Sequence, residues 1–277
     1  MSKKITIIYH KNCADGFSGA WTAWKKFKNK AEYIPCDDRN KDLDIKNKNK
    51  VYLIDFVFYK PILKKLIKEN KKVIVIDHHK TAQERVQLAD TTIYNKEKSG
   101  SVLTWEYFFP EKDVPQALKY IEDVDLWNWN LKHTKEIFAI IDSTEHDFKE
   151  WNKLIKKIEN KKSRKEIIKK GKIIVNSENE IIDRIVSKKY LINLDGHKVF
   201  AVNSPVFKSE IGHILSINQP PFGIIWHQSE EGIKVSLRAN DTIDVSEIAK
   251  KHGGGGHPNA AGFLIKNNQS KPWKKIK

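Results

Sequence analysis

The stretch VIVIDHHK at 73–80 restricts the fold more than any other part of the chain. Four apolar β-formers run directly into Asp77, His78 and His79. A carboxylate and two imidazoles at the tip of a buried strand are costly unless something meets them. The pattern recurs. KITIIYH ends at His10, with Cys13 and Asp15 in the next turn, and VYLID ends at Asp55. AEYIPC at 31–36 and TTIYN at 91–95 read as further short strands. Helical periodicity fills the intervals. Phe17, Ala20, Trp21, Trp24 and Phe27 share one face of a helix from about Gly16 to Lys28, and Pro61 sits where a helix start tolerates it. A second helical stretch, 99–122, carries a proline-containing break at 110–115. Strands alternating with helices predict an α/β fold with a doubly wound, mainly parallel sheet. In such a sheet ligands bind outside the carboxyl ends of the strands, so His10, Asp15, Asp55, His78 and His79 converge.

The rest of the chain has a different character. Residues 131–188 are lysine-rich and helical in pattern, which predicts a helical connector with a solvated charged face. Beyond it, KVFAVNSP, FGIIWHQ and GIKVSLRAN read as strands, IDVSEIAKKH as a helix, and GGGGHPNAAGFLI as a glycine-rich turn leading into a strand. The predicted organisation is thus 1–130, a metal-binding domain; 131–188, a connector; and 189–277, a smaller α/β domain. The tail KPWKKIK is expected to fray.

Several carboxylates within a few ångströms of one another need a counter-charge, and divalent cations supply it. Imidazole and carboxylate without a thiolate set suit Mn²⁺, Fe²⁺, Co²⁺ or Mg²⁺ better than structural zinc. Two such ions about 3.5–4 Å apart make a centre for in-line displacement at phosphorus. A fourth acid comes from YIEDVDLW, which offers Asp123 and Asp125. The net charge of +16 fits a polyanionic partner, but 46 lysines against five arginines fit a biased coding sequence equally well. No apolar run approaches the ~20 residues of a membrane span. The N-terminus lacks the pattern of a signal peptide. Two cysteines make no disulfide framework, so a reducing cytoplasm is the expected location.

These residues together resemble the DHH phosphoesterase superfamily. HKNCADGFSGA, LIDF, VIDHH and YIEDVDLW are similar to its four motifs, and SLRANDTIDVSEIAKKHGGGGHPNAAGF to its associated C-terminal domain. The resemblance implies metal-dependent hydrolysis of phosphodiester bonds, commonly with two Mn²⁺, in short single-stranded oligonucleotides or small nucleotides. Cyclic-dinucleotide hydrolysis, or nucleic-acid binding with weak catalysis, is the alternative. It implies that Asp55 bridges both metals, that Asp15, His78 and an acid of the fourth motif complete one site, and that His10 serves the other. The family pattern favours Asp123 over Asp125 as that acid. His79 would contact the scissile phosphate and Asp77 would orient the histidines. Many members carry an aspartate where this chain has Cys13; a soft ligand, a neighbour of the ligands and a small filler are the three roles open to it. Gly254, Gly255, Gly256 and His257 would cradle substrate phosphate, joined by Arg238, whose guanidinium fork suits that task. Trp127, Trp129 and Trp226 offer faces to a base, but core packing accounts for a tryptophan as readily. The oligomeric state is open, a homodimer being one option.

Overall fold

The computed structural model describes residues 3–276. They form two compact units, 1–175 and 176–277, that divide within one long helix.

The first unit comprises β1 (Ile5–His10), α1 (Ala14–Phe27), β2 (Ala31–Cys36), β3 (Lys50–Ile54), α2 (Lys60–Glu69), β4 (Val73–Asp77), α3 (Gln83–Val86), β5 (Thr91–Tyr94), α4 (Gly100–Phe108), α5 (Gln116–Asp125), α6 (Thr134–Asp142) and α7 (Phe148–Glu159). The helix α8 (Lys161–Val186) follows and holds the division. The five strands pair in parallel in the order β2-β1-β3-β4-β5. Both faces are covered, as all-parallel sheets require. Ile7, Tyr9, Tyr52, Ile54, Ile74 and Ile76 pack on one side, and Ile8, Val51, Leu53, Val73 and Val75 on the other. The strand order reverses between β1 and β3, which opens a crevice at their carboxyl ends.

The segment read as a connector is not uniformly solvated. Ile137, Ile141, Trp151, Leu154 and Ile158 of α6 and α7 join the same core as Phe17 and Trp21 of α1. The lysines that dominate its composition mask this apolar stripe; Asp147 starts α7 by accepting from the Lys149 and Glu150 amides.

The second unit contains β6 (Tyr190–Leu194), β7 (His197–Asn203), α9 (Lys208–Asn218), β8 (Phe222–Ser229), β9 (Gly232–Ala239), α10 (Val245–Lys251), β10 (Gly255–His257), β11 (Ala260–Lys266) and β12 (Lys274–Lys275). Its sheet runs β10-β11-β9-β8-β7-β6-β12, antiparallel except for the β7–β8 pair. The tail does not fray as expected. Trp273 is buried in the second core and β12 pairs with β6, so the apolar ring anchors an otherwise polar end; Lys277 lies outside the described residues. Among the described residues no helix is long and apolar enough to cross a membrane.

Candidate metal centre

The carboxyl end of the parallel sheet gathers the ionisable tips. Asp55 follows β3 with φ of 54°, a left-handed conformation that short polar side chains tolerate best. Its amide still donates to Ile76 of β4 at 2.9 Å, so the turn keeps its place in the sheet. The Asp55 carboxylate is almost fully buried. His10 Nδ1 lies 3.2 Å from its Oδ2 and the Cys13 thiol 3.6 Å from the same oxygen. His78 Nε2 lies 3.3 Å and His79 Nδ1 3.5 Å from its Oδ1.

Asp15 enters from the first turn of α1, where Cys13 occupies the cap position. Its Oδ1 accepts the Ser101 amide at the start of α4, 3.0 Å away. Close approach of α4 depends on Gly100: a Cβ there would lie 2.8 Å from Asp55 Cβ and 2.9 Å from Asp15 Oδ2. His78 Nε2 is 4.0 Å from Asp15 Oδ2 and 3.4 Å from Asp125 Oδ2.

Among the described residues, three overlapping groups of metal-ligating side chains result. They are His10, Cys13 and Asp55; Asp55, His78 and His79; and Asp15, His78 and Asp125. Asp55 and His78 each belong to two of them. Asp15 Oδ2, Asp55 Oδ1 and His78 Nε2 are buried and close no hydrogen bond, so the proximities leave these atoms unsatisfied. Divalent cations would satisfy all three at once, and the donor set of carboxylates and imidazoles fits them.

The electrostatics match that reading. Burial, then the Asp55 charge, pushes Asp15 up. Burial and the charges of Asp15 and Asp55 push Asp125 well above the carboxylate range. Burial also opposes ionisation of Asp55, but His10 and His78 outweigh it and hold Asp55 below its usual value. For His78, burial favours the neutral ring, but Asp55, Asp125 and Asp15 override it and raise the group to about 10. Without a cation the protonated His78 ring acts as its substitute. Burial first, then Asp55 and Asp15, drives the Cys13 thiol upward, so it stays protonated unless a cation is near.

Residues 198–275 match the DHHA1 domain. The chain is 36% identical over 292 residues to an uncharacterized protein of Acanthamoeba polyphaga mimivirus, covering 94% of this chain and 67% of that one. It is 26% identical over 228 residues to the oligoribonuclease NrnB of Bacillus subtilis, covering 70% of this chain and 53% of that one. The chain therefore spans about two thirds and about half of these curated relatives. The DHH domain of a member of the s1p family of ribosomal proteins covers 95% of this chain and superposes over 82% of its own length, with a TM-score of 0.64 at 14% identity. The chain belongs to the DHH phosphoesterase family. The DHH fold extends to a pGpG-specific phosphodiesterase from Vibrio cholerae (TM-score 0.56, 13% identity, 96% of this chain and 94% of that one). It extends also to RecJ with Mn²⁺ from Thermus thermophilus (0.53, 14%, 95% and 50%). At these identities the likeness carries the fold.

One expectation about the DHH centre is corrected. Asp123 does not join any of the three groups; Asp125 does. Both Asp123 oxygens are taken by the loop after α5. The Asn130 amide donates to Oδ1 at 2.8 Å, and the Leu131 amide and Thr134 hydroxyl donate to Oδ2 at 3.1 and 2.5 Å. Two residues along a helix turn a side chain through roughly 200°, so only one of the two acids faces the cluster. Asp77 Oδ1 accepts from the His78 and His79 amides and from His79 Nδ1 at 2.7 Å. Ser101 and Gly100 escaped the motif reading. The dipeptide Ser99-Gly100, a cap before an apolar run, is the signal that marks them.

In the second unit part of the glycine run is paired as a strand. Gly255–His257 forms β10 against β11, and the Gly254 amide donates to Ala249. Register places His257, Ala260 and Arg238 directly across three neighbouring strands, so their side chains leave one face. The small Ala260 separates the two larger side chains, about 10 Å apart by strand spacing. Arg238 donates to Ser209 Oγ at 3.3 Å and to the Leu237 carbonyl at 3.0 Å, which holds the guanidinium near α9.

Proposed function

We propose that this chain is a phosphodiesterase that hydrolyses short single-stranded oligonucleotides or small nucleotides with two divalent cations, Mn²⁺ for preference and Mg²⁺ or Co²⁺ as substitutes. The observation that carries the reading is the overlap of three ligand groups on Asp55 and His78, with buried oxygen and nitrogen atoms there closing no hydrogen bond. The similarity to an oligoribonuclease supports the substrate class.

Asp55 would bridge the cations. Asp15, His78 and Asp125 would hold one, and His10 with Cys13 nearby the other. Bound cations supply Lewis-acid polarisation of the phosphoryl group and a lowered pKa for the attacking water. Asp77 accepts from His79 Nδ1 and thereby directs the opposite ring nitrogen to substrate, where the protonated ring donates to a non-bridging phosphate oxygen. Arg238 and His257 offer a charged fork and an imidazole on one sheet face to a substrate phosphate. In this reading residues 1–130 carry the reaction centre, 131–188 connect, and 189–277 bind substrate, in a cytoplasmic setting.

The test is hydrolysis of bis(p-nitrophenyl) phosphate and of the dinucleotide ApA with added Mn²⁺, compared with Asp55→Ala. Metal-dependent turnover lost in the variant supports the reading. Absence of turnover with Mn²⁺, Mg²⁺ or Co²⁺, with oligonucleotide binding retained, would make the chain a binding protein instead.

A further inference from the structure

Arginine is scarce here, five residues against 46 lysines. Where a point charge suffices, this composition supplies lysine. Arginine differs in its planar fork and its ability to lie on an aromatic ring. Two of the five, Arg39 and Arg85, stand on the sheet edge from which the acids of the metal centre emerge. Arg39 follows the carboxyl end of β2, and Arg85 lies in α3, directly after the turn that carries His79.

Both are fixed to the segment that follows Asp55. The Arg39 carbonyl accepts the Tyr59 amide at 3.0 Å, and its guanidinium carbon lies 5.8 Å from the Phe56 ring. The Arg85 guanidinium carbon lies 5.2 Å from the Tyr59 ring. Phe56, Phe58, Ala82 and Val86 belong to one apolar cluster, so the segment after Asp55 and the helix bearing Arg85 rest on common ground. Tyr59 itself is 44% exposed.

The Nε–H of each guanidinium is buried without a hydrogen-bond partner. Exposed acids adjoin them in sequence, Asp37 and Asp38 beside Arg39 and Glu84 beside Arg85. Among the described residues none of these acids makes an ion pair with either guanidinium, and Asp38 spends a carboxylate oxygen on the Asn40 amide. A stacked guanidinium keeps its edge for acceptors in its plane, and a phosphate offers the matching pair of oxygens.

We propose that Arg39 and Arg85, set on Phe56 and Tyr59, form a phosphate subsite on the rim of the metal centre. It receives the phosphodiester adjacent to the scissile one and so favours oligonucleotides with at least two phosphates. The inference rests on the phosphodiesterase reading for its substrate class.

The experiment compares kcat/KM for the trinucleotide ApApA and the dinucleotide ApA, with Mn²⁺, in the wild type and in Arg39→Ala/Arg85→Ala. The expected result is a preference for ApApA that falls about 10- to 100-fold in the double variant, as expected for losing charge-assisted hydrogen bonds. An unchanged ratio overturns the subsite, whatever happens to overall activity, because a damaged fold lowers both substrates together. Should the double variant not fold, Arg39→Lys and Arg85→Lys keep the charge but lose the fork; each must lower the ratio, and equal ratios overturn the proposal. If the wild type cleaves neither substrate, the hydrolase reading falls separately. Anisotropy with fluorescein-labelled ApApA and ApA in Mn²⁺ then decides the subsite. Tighter binding of ApApA that disappears in the double variant supports it, and equal affinities of wild type and variant overturn it.

Discussion

The two units treat their polar groups in opposite ways. Among the described residues, ten of the eleven buried side-chain atoms without a hydrogen-bond partner belong to the first unit, and only His227 Nδ1 belongs to the second. The first sheet is parallel and covered on both faces, so any ionisable group at its rim sits close to a dry interior. The second is mainly antiparallel, and along β9 and β11 its burial alternates, so polar side chains reach solvent without special arrangements. The difference teaches where this chain keeps its unmet bonding capacity. Much of it lies around the carboxyl end of the parallel sheet, and it is nearly absent from the sheet that carries Arg238 and His257.

If that contrast is functional, the largest effect comes from removing its centre. Asp55→Ala should lower Mn²⁺-dependent kcat/KM by at least about 10³-fold, or ~4 kcal/mol of transition-state stabilisation. Activity within tenfold of wild type would break the comparison outright. The next contrast lies within one helix. Asp123→Ala removes a buried carboxylate that two loop amides and the Thr134 hydroxyl donate to, and should destabilise the fold by about 3 kcal/mol in urea titration. Asp125→Ala should leave stability nearly unchanged but weaken Mn²⁺ binding measured by calorimetry. A reversed pattern would return Asp123 to the metal centre.

The sign of the pH dependence sharpens the same point. His78 rises from 6.5 to about 10 in the metal-free fold, and Asp15 and Asp125 rise too. A group with a raised folded value contributes stability that is complete below its unfolded value and lost as pH climbs toward the folded one. Asp55, which is lowered, contributes stability above its unfolded value and loses it only as pH falls into the acid range. The metal-free protein should therefore lose stability above about pH 6.5, and the rise in melting temperature on adding Mn²⁺ should be larger at about pH 8 than at about pH 6. A gain that shrinks with rising pH would contradict the origin given for the shifts. The smallest effect belongs to the second unit. Gly253 has φ of +78° with open space around its missing side chain, so Gly253→Ala should cost about 1 kcal/mol and leave the Mn²⁺-induced shift intact.

Much of the parallel sheet was legible because its strands announce themselves twice, by an apolar run and by an ionisable tip. TTIYN and AEYIPC were readable on similar grounds, and the break at 110–115 separates α4 from α5 as expected. The choice between Asp123 and Asp125 was not legible, since it depends on how α5 ends and on a loop whose amides come from Asn130 and Leu131. The apolar stripe of α6 and α7 was hidden by abundant lysine, and β12 by a tail that is polar apart from Trp273 and Ile276. Arg39 and Arg85 lie in polar surroundings with no motif, and only their rarity set them apart. Composition identified them as unusual; contact with Phe56 and Tyr59 had to come from the fold.

The bare α-carbon at Gly100 makes the centre easy to silence. A methyl group at that position would press on both Asp15 and Asp55 without altering a single acid or imidazole. One codon change there would disturb the cluster while leaving every recognisable motif intact.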